Sequence, residues 1–503
     1  MSGKKEFGDY QTPSYFSDKV CEYLKDLGIT PTIVLEPTCG IGNFLASSKI
    51  FNAKNYIGIE TNASYCKLCN ERFLNEDVTI INDDIFGCDL SLITGKDDVL
   101  IIGNPPWVTN STLSALESDN LPQKENFKNL KGMDALTGAS NFDICEYIIL
   151  QIVHSYIESN AVVAMLCKTS VARNVFQELK RDNISFEYCN VYEFDSKKVF
   201  DVSASACLLL IKLGKDIQSP DYCDVYDFDN NGYLKSRFGY QKGIFYSNLN
   251  SEAEDFAGAC CFEWRQGVKH DCSKIMELRY IDGKFVNGNK EILSIEEDIV
   301  FPLIKSSMFK SPIIDKFDRY VIVTQKKPRE DTSYLENLVP RTWKYLNDNV
   351  DIFINRKSSI YKGAPHFSMF GVGDYSYAPY KVGVSGFYKK PMFSVLYSKN
   401  LKAVMTDDTS YFICFEEYKL AYVAMLLLNS EKVQRFLTSI AFLDAKRPYT
   451  KKVLERIDFS KILKRVDFND LVETEVSLNL DAYLTTKMLY EFAEHVQHNS
   501  KFS

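Results

Sequence analysis

Residues 32–48 read TIVLEPTCGIGNFLASS: an apolar run, the pair Glu36-Pro37, small residues that include Gly40 and Gly42, and then a helical pattern. This order predicts a β-strand, a tight turn at which a ligand can reach the backbone, and a helix whose amino end points at that ligand. The stretch therefore decides the fold class, because it predicts an α/β unit with a binding site at the end of its first strand.

Further apolar runs follow along the chain, and each ends in polar side chains. NYIGIETN (55–62) contains Glu60, about twenty residues beyond the glycines, where a carboxylate can clamp a ribose in nucleoside-binding folds. VTIINDDIF (78–86) contains Asp84, and DDVLIIGN (97–104) ends in an asparagine. Because the carboxyl ends of parallel strands meet at one edge of a sheet, these side chains predict a nucleoside site at that edge.

The cofactor can be narrowed further from the residues of the glycine turn. The chain has no Gly-x-x-x-x-Gly-Lys-Ser/Thr motif, and Glu36 stands where it would repel a pyrophosphate, which disfavours a nucleoside triphosphate or a dinucleotide. A carboxylate beside the turn suits a ligand with an ammonium group. S-adenosylmethionine carries an ammonium group, a ribose diol and an adenine, and we expect it to be the cofactor.

The fourth run leads into the turn Asn104-Pro105-Pro106-Trp107. Two successive prolines restrict the backbone and remove two N–H donors, so nearby carbonyls point outward with few local partners. Together with the Asn104 side-chain carbonyl they can accept the hydrogens of an exocyclic amine, and Trp107 offers a face for stacking. The turn contains no nucleophile, and an amine that attacks a sulfonium methyl needs none. In-line methyl transfer is the predicted chemistry.

Several segments together resemble the γ class of N6-adenine DNA methyltransferases, in which the cofactor motifs precede the catalytic motif and a target-recognition domain follows. The resemblance covers about the first 215 residues and keeps the family's order of motifs. Its segments are YQTP (10–13), VLEPTCGIGNFL (34–45), NPPW (104–107), TGASNFDICEYIIL (137–150), AVVAMLCKTSVARN (161–174) and KKVFDVSASACLLLI (197–211).

The resemblance implies roles for individual residues of this chain. The implied catalytic residues, which would hold the target base or stack on it, are Asn104, Pro105, Pro106, Trp107 and Phe200. The implied cofactor-binding residues are Tyr10, Thr12, Pro13, Glu36, Pro37, Gly40, Gly42, Glu60, Asp84, Ile85 and Asn104. Two departures are Trp107, where Tyr or Phe is commoner, and Thr38-Cys39, where smaller residues are usual; both preserve the physical role.

The length of 503 residues exceeds what one hydrophobic core usually organises, so at least two domains are expected. We predict a Rossmann-like class I methyltransferase domain over residues 1–225 and a mixed α+β target-recognition domain over residues 226–503, with the polar segment 214–238 as the boundary between them.

The 14 cysteines are scattered along the chain and are expected to be free thiols. Cys66-x-x-Cys69 lacks a second pair at zinc-finger spacing, so no metal is expected.

The net charge of −8 disfavours a polyanionic partner only mildly, because a basic face is enough for a surface groove. Two segments of the second half, 354–390 and 444–452, combine basic and aromatic residues that can meet phosphates and base edges. Exposed lysines on ordinary β-strands would give the same pattern. The predicted DNA contacts are Arg356, Lys357, Lys362, Lys381, Lys446 and Arg447.

These features predict a site-specific adenine DNA methyltransferase, the modification enzyme of a restriction-modification system. A target base inside a duplex must be flipped out to be reached, and the long segment 109–141 is interpreted as a lid over it. Cytosine N4, RNA and protein glutamine remain alternative substrates. A fused nuclease, with Asp408 and EYK (417–419) as its acidic and basic groups, is an alternative activity, and a catalytically silent DNA-binding module is a third.

The expected partners are double-stranded DNA and a separate cognate restriction endonuclease. The apolar runs are too short to cross a bilayer and the start of the chain does not resemble a signal peptide, so a cytoplasmic monomer without membrane association is expected.

Overall fold

A computed structural model describes residues 11–96, 98–108, 143–230, 232–249, 253, 255–400 and 402–500. The chain separates into two compact units, Met1–Asn250 and Ser251–Ser503. Tyr10 and the predicted lid, residues 109–141, lie outside the described residues.

A mixed β-sheet occupies the centre of the first unit. Its strands are β1 (Ile33–Glu36), β2 (Asn55–Glu60), β3 (Val78–Asn82), β4 (Val99–Gly103), β5 (Val162–Lys168), β6 (Phe186–Phe194), β7 (Ala206–Leu213), β8 (Tyr222–Asp227), β9 (Tyr233–Gln241) and β10 (Ile244–Tyr246). Within the described part of the chain, the order across the sheet is β10-β9-β8-β6-β7-β5-β4-β1-β2-β3.

The half of the sheet from β3 to β5 is parallel. β1 pairs in parallel with both β2 and β4, and these strands pair in parallel with β3 and β5 respectively. Every residue of β4 is buried, as expected for a strand covered on both faces. The carboxyl ends of β1 to β4 therefore gather at one edge, as the sequence predicted.

Helices connect these strands, and their caps explain where several begin. They are α1 (Ser14–Asp26), α2 (Asn43–Ser47), α3 (Ala63–Arg72), α4 (Leu90–Thr94), α5 (Ile144–Ser155), α6 (Thr169–Arg181) and α7 (Ser196–Phe200). The side chains of Asn62, Asp143 and Asp195 accept backbone N–H groups in the first turns of α3, α5 and α7.

The division of the chain differs from the one that the sequence predicted. The expected boundary, residues 214–238, contains β8 and most of β9, which extend the central sheet beyond β6. The compact unit consequently continues to Asn250 rather than ending at residue 225. Polar residues are tolerated there because an antiparallel strand pair near a sheet edge can leave one face in water.

The second unit has two sheets. Its strands are β11 (Arg265–Gln266), β12 (Glu277–Ile281), β13 (Lys284–Asn287), β14 (Ile292–Leu293), β15 (Val300–Ile304), β16 (Ile313–Ile314), β17 (Arg319–Ile322), β18 (Tyr380–Ser385), β19 (Ser394–Leu396), β20 (Met405–Thr406) and β21 (Ser410–Phe415). Among the described residues, one sheet has the order β11-β21-β18-β19-β16 and the other β14-β13-β12-β17-β15-β20.

The helices of the second unit cluster mainly towards its carboxyl end. They are α8 (Ser273–Met276), α9 (Leu335–Leu338), α10 (Pro340–Asp348), α11 (Val350–Ile354), α12 (Tyr418–Asn429), α13 (Glu431–Ile440), α14 (Lys451–Leu454), α15 (Phe459–Ile462), α16 (Phe468–Ser477) and α17 (Thr486–Ser500). α12 packs against β18, β19 and β21 and is buried from Leu420 to Leu428.

The fold class is confirmed: an α/β unit with a large, partly parallel sheet precedes a mixed α+β unit. No helix in the described ranges combines the length and the apolar character that a bilayer crossing requires.

Candidate active site

The glycine turn after β1 depends on backbone conformations that favour glycine. Gly40 and Gly42 have φ angles of +52° and +75°. A Cβ atom on Gly42 would also lie 2.7 Å from the Phe73 ring, so a side chain is excluded there. The Gly40 N–H donates to the Glu60 carboxylate over 2.8 Å, and the other oxygen of Glu60 accepts from the N–H of Asn62 over 2.8 Å. Glu60 thereby joins the turns that follow β1 and β2.

Glu36 is the last residue of β1 and is buried at the start of α2. Its carboxylate accepts from the N–H of Leu45 over 3.1 Å. Burial raises the pKa of Glu36 well above its usual range, and the hydrogen bond from Leu45 opposes this only in part. A cationic ligand group beside Glu36 would offset the cost of keeping a charge there.

The chain segment before α1 covers the glycine turn. The N–H of Ile41 donates to the Gln11 side chain over 3.3 Å, and the Asn43 side chain donates to the Thr12 carbonyl over 2.7 Å. Among the described residues, the hydroxyl oxygens of Thr12 and Thr38 are buried without a hydrogen-bond partner. Buried polar atoms normally have partners, so these two hydroxyls fit a bound polar ligand. The residues therefore suit S-adenosylmethionine.

Two further residues hold the glycine turn, and neither was predicted from the sequence. The guanidinium of Arg72, on α3, donates to the Ile41 carbonyl and to the Asn43 side chain at 2.9 and 2.7 Å. Gln11 belongs to the quoted motif YQTP but was given no role. No short sequence pattern indicates a role for either residue, because each contacts the turn from about thirty residues away in the chain.

Asp84 and Ile85 follow β3 at the same edge of the sheet. The carboxylate of Asp84 is exposed and accepts from the N–H of Phe86 over 3.0 Å, which caps a short 3₁₀ turn. Ile85 is buried, and its carbonyl accepts from the Gln151 side chain over 3.0 Å. Pro37, after β1, is also buried. Pro13 immediately precedes α1, and its carbonyl accepts the N–H of Phe16 over 2.9 Å.

The Asn-Pro-Pro-Trp turn and the glycine turn follow the ends of neighbouring parallel strands, β4 and β1. A Cβ atom added to Gly103, the last residue of β4, would make ordinary van der Waals contact with the side chains of Glu36 and Pro37, at 3.6 and 3.7 Å. Asn104 and Pro106 follow at intermediate exposure, and Pro105 is buried. The structure thus brings together the two motifs to which the sequence assigned cofactor and target.

Trp107 is fixed by the end of β5. Its indole N–H donates to the Leu166 carbonyl over 3.4 Å, and its own carbonyl accepts from the Lys168 ammonium over 3.4 Å. Lys168 also forms a 2.6 Å ion pair with Asp143, whose pKa is raised by burial in spite of this cation. Lys168 and Asp143 were not predicted as site residues, because only the fold brings them to the turn.

Phe200 meets Trp107 in an edge-to-face contact. The ring centroids are 5.5 Å apart and the planes form an angle of 71°. Phe200 is half-buried and also contacts Phe16 and Phe194. The two rings therefore form one corner in this structure and not a pair of parallel walls.

The predicted DNA contacts of the second unit differ in their exposure. Lys357, Lys362 and Lys446 are exposed. Arg447 is half-buried and lies over the Phe387 ring, with 5.1 Å between the guanidinium carbon and the ring centroid.

Lys381 is wrong as a DNA contact. Its side chain is 1% exposed, and its ammonium donates to the carbonyls of Ser376 and Val404. Burial lowers the pKa of Lys381 to about 8. Every residue of its strand from Lys381 to Ser385 is buried, so both faces of β18 are covered and neither is the exposed face that the sequence pattern suggested.

Arg356 is largely occupied within the protein. It donates to the carbonyls of Phe353, His270 and Ser368 at 3.0, 3.3 and 2.6 Å, and stacks 3.6 Å from the Tyr361 ring centroid. Few of its five N–H donors therefore remain for a phosphate.

The sheet order and the site at its carboxyl edge define a Rossmann-like class I methyltransferase fold. The chain belongs to the type II methyltransferase family. It is 40% identical over 465 residues to the type II methyltransferase M.NspV of Nostoc sp., and the aligned region covers 90% of this chain and 96% of that protein. The type II methyltransferase M.CvrRI of Paramecium bursaria Chlorella virus XZ-6E is 29% identical over 177 residues, 34% of this chain and 40% of its own length.

Among solved structures, the chain resembles the type IIL restriction-modification enzyme MmeI in complex with DNA, with a TM-score of 0.54 and 14% identity. The match covers 99% of this chain and 78% of that enzyme, and it supports the fold across both units. No protein-family model matches the chain.

Proposed function

We propose that this protein methylates N6 of a specific adenine in double-stranded DNA with S-adenosylmethionine as the donor, as the modification enzyme of a restriction-modification system. The observation that carries the proposal is that the Asn-Pro-Pro-Trp turn and the glycine turn follow the ends of neighbouring parallel strands, in a chain of the type II methyltransferase family. This arrangement supports the assignment of the target amine to one turn and of the cofactor to the other.

We assign the cofactor to the side chains that surround the glycine turn. Glu60 would accept the ribose hydroxyls, Glu36 would face the ammonium group, and the buried hydroxyls of Thr12 and Thr38 would gain the hydrogen bonds that they lack among the described residues. When bound, S-adenosylmethionine supplies an electrophilic methyl group on a sulfonium. The protein contributes position and an environment without competing nucleophiles.

The target amine is assigned to the catalytic turn. The Asn104 side-chain carbonyl and the Pro105 carbonyl would accept the two amine hydrogens and so orient the nitrogen lone pair. Trp107 is suited to stack on the target base because its contacts with Leu166 and Lys168 fix it in place. Phe200 would have to leave its edge contact with Trp107 to cover the other face of an extruded base.

The exposed lysines of the second unit, Lys357, Lys362 and Lys446, are the proposed phosphate contacts.

A fused nuclease has less support. Asp408 precedes β21 and Lys419 follows it, so a strand of six residues, about 3.3 Å per residue, separates the groups that such a site would need together. Lys419 instead pairs with Glu417 and Glu491, both at 2.9 Å.

The experiment is expression in a methylation-free host, followed by single-molecule sequencing that separates N6-methyladenine from N4-methylcytosine. We expect one DNA motif to carry N6-methyladenine, and the Asn104→Ala variant to leave that motif unmodified. N4-methylcytosine at the motif would move the proposal to cytosine. A wild-type map equal to that of the Asn104→Ala variant would refute DNA methylation.

A further inference from the structure

The second unit contains a cleft of about 600 Å³, whose lining includes none of the proposed phosphate contacts Lys357, Lys362 and Lys446. It lies between the start of β21, the ends of β11 and β15, and the loop after β18. Its lining combines carboxylates, lysines and an exposed aromatic side chain, and the residues important here are Lys269, His270, Glu277, Lys305, Tyr388 and Asp408.

Most charged groups of the cleft are already satisfied. Both oxygens of Glu277 are 2.8 Å from the Lys305 ammonium. The carboxylate of Asp407 accepts from the hydroxyls of Thr409 and Ser410 at 2.6 and 3.0 Å. Burial lowers the pKa of His270 to about 4, so its ring is neutral at pH 7.

Asp408 differs from these groups. Among the described residues its carboxylate accepts no hydrogen bond, and the Lys269 ammonium lies 3.8 Å from it, beyond hydrogen-bonding distance. Its side chain is 31% exposed, and burial raises its pKa. Asp408 is therefore a partly desolvated acceptor that opens into the cleft.

The border of the cleft is cationic and aromatic. Arg447 donates to the Asp408 carbonyl over 3.4 Å and covers Phe387, which also lines the cleft. Tyr388 is 40% exposed, and exposed Lys389 follows it. Cations at the border and a carboxylate inside suit a ligand that is anionic outside and carries N–H donors within. A DNA duplex has this arrangement, with phosphates along the groove and base amines in it.

We propose that this cleft reads one base pair of the recognised DNA sequence, with Asp408 accepting an N–H from the exocyclic amine of cytosine or adenine in the major groove. The inference rests on the proposed function, since it assumes that the substrate is duplex DNA. Arg447 and the lysines beside the cleft hold the backbone, and Tyr388 packs against the base edges. A carboxylate inside the cleft would repel a phosphate, so the cleft favours the amine of a base over the DNA backbone.

The test measures DNA binding preference separately from methyl transfer. Purified full-length protein is equilibrated with a randomised duplex library, and the bound DNA is sequenced. For Asp408→Ala we expect the preference at one base position to fall about ten- to a hundredfold, which is the discrimination of one good base contact. Asp408→Asn, an isosteric change that still accepts and also donates, should shift the preference at that position toward adenine. Lys446→Glu should weaken binding to all sequences alike.

The control is Asp348→Asn, which removes an exposed carboxylate of α10 that pairs with Lys344 at 2.8 Å and does not line the cleft. It should bind like the wild type. If both Asp408 variants keep the wild-type preference at every position, or weaken binding to all sequences equally, the inference is overturned. Because the measurement is of binding, the two proposals can fail separately. A wild-type protein that selects a sequence but transfers no methyl group would count against the proposed function, and the Asp408 variants would still test the inference.

Discussion

The backbone N–H of Gly40 donates to the carboxylate of Glu60 over 2.8 Å, across an interval of twenty residues in the chain. This bond fixes the glycine turn relative to the end of β2. The turns that follow β1 and β2, to which the proposed cofactor is assigned, are thus connected to each other.

Replacement of Glu60 by alanine should weaken S-adenosylmethionine binding about ten- to a hundredfold, because hydrogen bonds to a charged group each contribute about 1.5–3 kcal/mol. Isothermal titration calorimetry measures the change. Glu71→Ala is the matched control, since Glu71 is an exposed carboxylate on α3 whose partner is Lys67. Equal affinities of the two variants would remove Glu60 from the cofactor site.

Replacement of Lys168 by methionine should destabilise the first unit by about 2 kcal/mol. It leaves the Asp143 carboxylate buried without its cation, and the penalty stays below the roughly 3–5 kcal/mol of a fully buried pair because Lys168 is partly exposed. Urea unfolding measures it. The double variant with Asp143→Asn should recover part of this loss, so additive single effects would argue against the pair. Methyl transfer should also fall in Lys168→Met, since Trp107 loses a contact.

Glu36→Gln should stabilise the protein without ligand while weakening cofactor binding. Burial raises the folded-state pKa of Glu36 above the 4.5 of an unfolded chain, so the folded state holds an extra proton above that pH. Its contribution to stability is greatest below pH 4.5 and is lost as the pH rises toward the folded-state pKa. Thermal melts from pH 4 to pH 8 should therefore show a flatter profile for Glu36→Gln, and a parallel profile would contradict the buried carboxyl.

Lys357→Ala and Lys362→Ala should each reduce the slope of log affinity against log salt by about 1, as expected for the loss of one phosphate contact. Lys381→Met is the contrasting variant. Because the Lys381 ammonium is buried between carbonyls, its loss should lower the melting temperature and leave the salt slope unchanged. Fluorescence anisotropy at several salt concentrations distinguishes these outcomes.

The sequence was most informative where the chemistry is local. The glycine turn and Glu60 could be placed together because each lies at the end of an apolar run, and parallel strands bring such ends together. Lys168 could not, since its contacts with Asp143 and Trp107 span 25 and 61 residues. Lys381 was misjudged because alternation along a strand does not reveal whether its polar face is covered.

The continuation of the central sheet through β10 determines where this protein can be divided into fragments. A truncation after residue 225 would cut through β8 and leave one side of β6 with unpaired backbone groups, which is a template for aggregation. Truncation after Asn250 retains β8, β9 and β10 together. Separate expression of the two units should therefore use the later boundary.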